Sequence, residues 1–381
     1  MKEKAGPRPW NGNSKKKYPN ATIEWRKYDG DKYVNGLMTA QLIAGRAADI
    51  VINQAPAALG KAGFVIDLSD MPFVSREYDT LKSQDLYEGK VYGVPLESVT
   101  NGVFYNKRIF AELGIGAPQN WSQLLAACGK IKASGIAPIL IGALDSWTAN
   151  IVGVTIGQAA VYPEDPGFDK AVYEGTEKLD GPAMTRSMLM VEELAKNGYF
   201  NEDAFRIGYD EVLRRFADGK GAMVVNGNWF LGDLAADGRL PFDVGFFPIR
   251  DREGRTMLIA AGDKKVSVNA RSAYPEQAKE LASIMFEPDI MSVYLKEANA
   301  FSPLTGVTVD YDQQAVREMA GLLAKLPSRR QIGSYWSGAV NDKFGDMIAQ
   351  TIADRKWSPA NLAELQRLYD ADKGLLVSRP G

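Results

Sequence analysis

The chain has 381 residues, 45% apolar and 24% charged, a balance that fits a folded globular protein long enough for two ordinary domains. Its formal charge is −2, and the only tight basic run is at residues 15–17, so the electrostatic footprint of a nucleic-acid-binding protein is excluded. There is no histidine and one cysteine, Cys128, which excludes Ser–His and Cys–His catalysis, His or Cys-cluster metal sites and an intrachain disulfide.

No apolar stretch approaches the ~20 residues of a membrane span. The amino terminus, MKEKAGPRPW, has no apolar core of a signal peptide. Residues 1–19 are polar and punctuated by Pro7, Pro9 and Gly12. Residues 21–28 alternate about Ile23 and Trp25 and predict a strand. Residues 31–44 place Val34, Leu37, Met38 and Leu42 on one helical face, with Gly45 past the end. The run ADIVIN at 48–53 predicts a strand of a parallel sheet covered on both faces. These three elements make a β-α-β pattern, which continues through 57–63 into 64–68.

The stretch VPLESVTNGVFYNKRIF, residues 94–110, divides the chain. Pro95 lacks a ladder N–H and marks an edge strand or strand start. Glu97 and Asn101 are polar positions in an otherwise strand-like run, and Asn106 reads as the N-cap of a helix ended by Gly114. Beyond it, a capped helix at 122–133 puts Cys128 on an apolar face with Leu124 and Ile131, a buried thiol. A buried strand at 137–141 and a helix from Thr148 come next, then a loop-rich stretch at 161–182. Helices are predicted at 184–197 and 209–217, a strand at 222–225, and Asn228 as the cap of a helix led by Trp229. A strand follows at 244–248, and 258–270 is a second apolar passage, interrupted by Gly262, Asp263, Lys264 and Lys265. Pro275 opens the first of the remaining helices, and Ser358 with Pro359 starts the last. Strands alternating with helices predict an α/β protein with parallel sheets.

The segment VPLESVTNGVFYNKRIFAELGI resembles the first interdomain segment of the family 1 extracellular solute-binding proteins, the carbohydrate-binding subunits of ABC importers. GKGAMVVNGNWFLGDL, PEQAKELASIMFEPDIMSVYLKEANAFSPL and SYWSGAVNDKFGDMIAQTIADRKWSPANLAELQ are similar to further segments of that family, so the resemblance runs from about residue 20 to 370. It implies a periplasmic-binding-protein-like (type II) fold, with two lobes joined by a multi-segment hinge and a ligand cleft between them. The lobes are expected at 1–105 plus 265–310 and at 106–264 plus 311–381, with hinges near 100–106, 262–266 and 308–313. The implied function is non-catalytic: extracytoplasmic capture of a mono- or oligosaccharide by a monomer, and delivery to an ABC transporter permease. No cofactor or metal is implied. Only the end of the family's first helix is matched, at 13–18. An export signal and lipid-anchor cysteine are therefore expected to be absent from this chain.

Six places carry polar or aromatic groups suited to such a ligand. Glu97 lies where an unpaired carboxylate is costly, so it either pairs with a local cation or awaits ligand hydroxyls, the use the family makes of this position. Asn53 follows a buried strand at the end where open α/β sheets bind ligands, or is an ordinary loop residue. Asp145 and Trp147 follow another strand, and Asp145 is alternatively a turn residue. Trp229 and Trp336 match the family's sugar-stacking aromatics, and Asp263 lies near the second crossover. Trp25, Trp121 and Trp357 are expected in the core. Aromatic faces suit pyranose C–H faces, while carboxylates and amides bind hydroxyls. The rival readings are a non-sugar solute, or a glycoside hydrolase using Glu97 and Asp145 as its carboxylate pair.

Overall fold

The computed structural model describes residues 20, 22–26, 36–82, 86–235 and 242–375. The chain forms two compact units, residues 1–99 with 261–312 and residues 100–260 with 313–381, and passes between them after residues 99, 260 and 312. Among the described residues the strands of four or more residues are β1 (Ile50–Asn53), β2 (Val94–Val99), β3 (Asn101–Asn106), β4 (Ala137–Leu140), β5 (Gly221–Gly227), β6 (Val244–Phe247) and β7 (Ala261–Val268).

In the first unit the sheet order is β1-β7-β2, antiparallel throughout. This corrects the parallel sheet expected of ADIVIN. The partner of β1 is β7, some two hundred residues away, and local apolarity does not report strand direction. Both faces of β1 are nonetheless covered. Ile50 and Ile52 pack on a core of Leu68, Phe73, Leu96, Val266 and Phe286, while Val51 joins a second cluster with Met38, Leu42 and Leu59. Pro95 sits on the edge strand β2, where its missing N–H breaks no central ladder. Residues 22–26 form no strand, although Ile23 and Trp25 are half-buried between exposed neighbours, and Trp25 packs on the larger core. Leu37 is exposed rather than inward, and the rest of that predicted helix at 31–35, like 13–18, lies outside the described residues. Lys264 and its neighbours do not interrupt the final strand: β7 runs through them.

The second unit has the order β4-β5-β3-β6, with β4 and β5 parallel and the other pairs antiparallel. Asn106 caps the helix Lys107–Glu112 by accepting from the N–H groups of Arg108 and Ile109. The helix Ser146–Val161 is buried at Ala149, Val152, Ile156 and most positions around its girth, so it lies at the centre of the unit rather than on its surface. It packs against Pro182–Lys196 and Gly338–Asp354. Gly153 permits the approach, since a Cβ there would come within 2.5 Å of Ile348. Trp121 is fully buried with its indole N–H on Glu193 at 2.8 Å, and burial pushes the Cys128 thiol up to about 12. The stretch expected as loop contains a helix, Phe168–Glu174. The Tyr162 hydroxyl donates to Asp169 at 2.7 Å, and Arg329 reaches the same oxygen at 3.2 Å, a long-range anchor that the Pro- and Gly-rich flanks conceal.

Candidate functional site

In the second unit three helix starts bring three aromatic rings together. After β4, the turn at 142–145 is held by Ala143 N–H on Ala204 O and Leu144 N–H on Ile207 O. Asp145 accepts the Tyr209 N–H at 2.7 Å, and its own carbonyl accepts from Thr148. Asp145 is thus a turn residue that ties the start of Ser146–Val161 to the start of Tyr209–Ala217. Trp147 then meets Tyr209 edge-on, with centroids 4.9 Å apart, and lies 6.4 Å from Trp229. Both tryptophans are half-buried. Trp229 begins the helix after β5, and its ring lies over Gly227, where a Cβ would clash at 1.9 Å. Asn228 does not cap that helix. Its side chain instead accepts the Thr100 N–H at 3.0 Å, and its N–H donates to Thr100 O.

The parallel strands β4 and β5 both deliver these residues at their carboxyl ends, the edge at which open α/β sheets place ligands. Tyr209, which the sequence marked only as a helix start, completes the cluster, and its hydroxyl donates to Asp233 at 2.9 Å. Burial and the neighbouring Asp233 and Asp210 carboxylates raise the phenol's pKa, so it stays a neutral donor and acceptor. Its signal was an aromatic residue at the first position of a helix, as at Trp229. Trp336 does not join the cluster. It is 8% exposed and packs edge-on against Phe344 with centroids 5.4 Å apart, so its ring is a core ring and not the open face expected of it.

In the first unit, Glu97 on β2 faces Asp263 across the ladder with β7. Glu97 is 2% exposed, and both its oxygens are occupied: Tyr294 donates at 2.6 Å and Lys264 Nζ lies at 2.8 Å. Of the two roles open to this carboxylate, pairing with a local cation is the one adopted. Burial raises its pKa against the opposing pull of Lys264. Asp263 accepts from Gln54 and from the Lys264 N–H. Asn53 holds the end of β1: its amide donates to Lys265 O and Ser267 Oγ, and its oxygen accepts the Ala55 N–H at 3.0 Å. Its polar atoms are thus engaged inside the unit, where they tie the end of β1 to β7 and to the following turn. Lys264 and Tyr294 were missed. The only hint of Lys264 was the polar GDKK break within an apolar passage.

Among the described residues no cluster of three or more His, Cys, Asp and Glu side chains is arranged to hold a metal, and no helix is long and apolar enough to cross a membrane. The chain is 24% identical over 286 residues to the multiple sugar-binding protein of Streptococcus mutans, covering 72% of this chain and 67% of that one. It is 26% identical over 226 residues to the sn-glycerol-3-phosphate-binding periplasmic protein UgpB of Rhizobium meliloti, covering 57% and 49%. The structure of RafE in complex with raffinose superposes with a TM-score of 0.78 at 21% identity, over 96% of this chain and 95% of that one. That likeness establishes a periplasmic-binding-protein-like α/β fold. Residues 2–292, most of the chain, match the pattern of a single family, and the chain belongs to it: the bacterial extracellular solute-binding proteins.

Proposed function

We propose that the protein captures a mono- or oligosaccharide outside the cytoplasmic membrane and delivers it to an ABC transporter permease, without breaking any bond. The observation that carries this reading is the half-exposed cluster of Trp147, Tyr209 and Trp229 at the carboxyl ends of β4 and β5. Such faces stack on the apolar side of a sugar ring, and the Tyr209 hydroxyl and Asp145 carboxylate are at hand for its hydroxyls. The sugar-binding relative and the raffinose complex agree with this chemistry. The glycerol-3-phosphate-binding relative favours a second reading, a non-sugar solute.

In this proposal the two units are the lobes of a monomer, closing on ligand by hinge motion at the passages near 99, 260 and 312. The mature protein works in the periplasm or lipid-anchored at the outer face of the membrane. A thermal-shift screen tests the reading with raffinose, stachyose, chitin oligosaccharides and sn-glycerol 3-phosphate. A ligand at 100-fold over its Kd adds about 2.7 kcal/mol to stability. A rise with a neutral sugar and no new reducing ends supports capture. A rise with glycerol phosphate alone favours the second reading, and turnover of any oligosaccharide overturns the non-catalytic one.

A further inference from the structure

Four non-glycine residues among those described have positive φ: Glu88, Lys264, Asn299 and Arg355. Three have local reasons. Glu88 lies in the tight turn between the short paired strands Leu86–Tyr87 and Lys90–Val91, and Asn299 and Arg355 end helices in the left-handed conformation. Lys264 has neither turn nor cap. Its φ is 50° inside β7, between the ladder pairs Asp263 with Glu97 and Lys265 with Pro95. A side-chain-bearing residue in this region stores strain, and strain that persists within an ordered strand points to a use for the side chain it directs.

We propose that Lys264 is the ligand-facing polar group of the first unit and a specificity-determining residue for hydroxylated ligands, with Glu97 as the positioning residue beneath it. This rests on the carbohydrate reading above. The Glu97 carboxylate is 2% exposed and closed over by Tyr294 and by the Lys264 ammonium, whereas the Lys264 side chain is 46% exposed. A ligand arriving at this surface meets the lysine and not the glutamate. The buried carboxylate fixes the ammonium's position, and the kinked backbone aims its stem. An ammonium so held donates charge-assisted hydrogen bonds to ligand oxygens, and the adjoining Asp263 carboxylate accepts from ligand hydroxyls. The pair matches neighbouring hydroxyls on one sugar ring, and it disfavours a ligand that presents an ammonium to Lys264.

The competing account makes Lys264 only the counter-ion of Glu97. Replacing Lys264 alone strands a buried carboxylate, so the deciding variant is the double substitution Lys264→Met with Glu97→Gln, which removes both charges. Calorimetry with the oligosaccharide that gives the largest thermal shift on the unaltered protein should show affinity at least tenfold weaker. Lys264→Arg should recover most of the loss, because it keeps a cationic donor. Affinity equal to the unaltered protein in the Met/Gln variant overturns the proposal and leaves the carbohydrate reading standing. No binding of any sugar by the unaltered protein overturns both. Combining Lys264→Gly with Glu97→Gln relaxes the backbone, and the unliganded melting temperature should exceed that of Lys264→Met with Glu97→Gln. A lower one overturns the strain argument.

Discussion

In the second unit Trp147, Tyr209 and Trp229 keep ring surface open, while in the first unit Glu97 is sealed under Lys264 and Tyr294. The difference follows from what each group loses on exposure or burial. An aromatic face left in water forfeits some tens of calories per Å² and recovers it when a ligand covers the ring. A carboxylate in a low-dielectric setting is costly at all times, so it is paired before any ligand arrives. Aromatic groups therefore stand ready at a site, whereas a buried acid acts through the cation that covers it.

The largest expected effect probes the open rings against a closed one. Trp336→Ala, at an 8% exposed ring packed on Phe344, should cost about 3–5 kcal/mol of stability in denaturant unfolding. Trp229→Ala should change the unliganded protein far less. Equal losses in the two variants would erase the distinction between open and closed rings.

Next in size is the seal over Glu97. Tyr294→Phe removes the hydroxyl that donates at 2.6 Å and leaves a buried acceptor unpaired, at a cost of about 1–3 kcal/mol. An unchanged melting temperature would mean that Glu97 is not closed off as described.

Ligand affinity then tests the open cluster directly. Trp229→Ala should weaken sugar binding at least tenfold, about 1.4 kcal/mol by calorimetry, with little change in unliganded stability. A variant that melts early yet binds normally would return Trp229 to the core.

The smallest effects are of opposite sign with pH. Asp203 is held down to about 2 by the forked Arg215 guanidinium at 2.7 and 2.9 Å and by Asn201. A lowered carboxyl pKa contributes stability above the ordinary value of 3.8 that is lost as pH falls toward 2. Glu97 is raised, so the folded state binds the extra proton, and stability falls as pH climbs from 4.5 through the raised value. Asp203→Asn should flatten the acid limb of a melting-temperature profile by no more than about 1 kcal/mol. Glu97→Gln should instead remove part of the decline above pH 4.5. Profiles that shift in the same direction would contradict the contrast between an open and a buried acid.

Much of the fold was legible in the chain because its signals are local. Asn106, Asn120 and Ser358 cap the helices they precede, Pro275 opens its helix, and Gly198 at φ 63° follows the end of Pro182–Lys196. The pairing of Trp147 with Trp229 was half visible, since each follows a strand and leads a helix. Their contact, and the third ring at Tyr209, required the parallel register of β4 on β5.

By itself the sequence determined the family, the α/β composition, many of the helix starts and the exclusion of histidine and disulfide chemistry, all of which rest on residue types and short spacings. Tertiary structure alone decided that β1 and β7 are antiparallel, that Trp336 is closed while Trp229 is open, and that Glu97 is covered by Lys264. These depend on partners far apart in the chain: β7 against β1, Phe344 against Trp336 and Tyr294 against Glu97. Burial and pairing are properties of a neighbourhood, and a residue's neighbourhood is set by which distant segments fold against it.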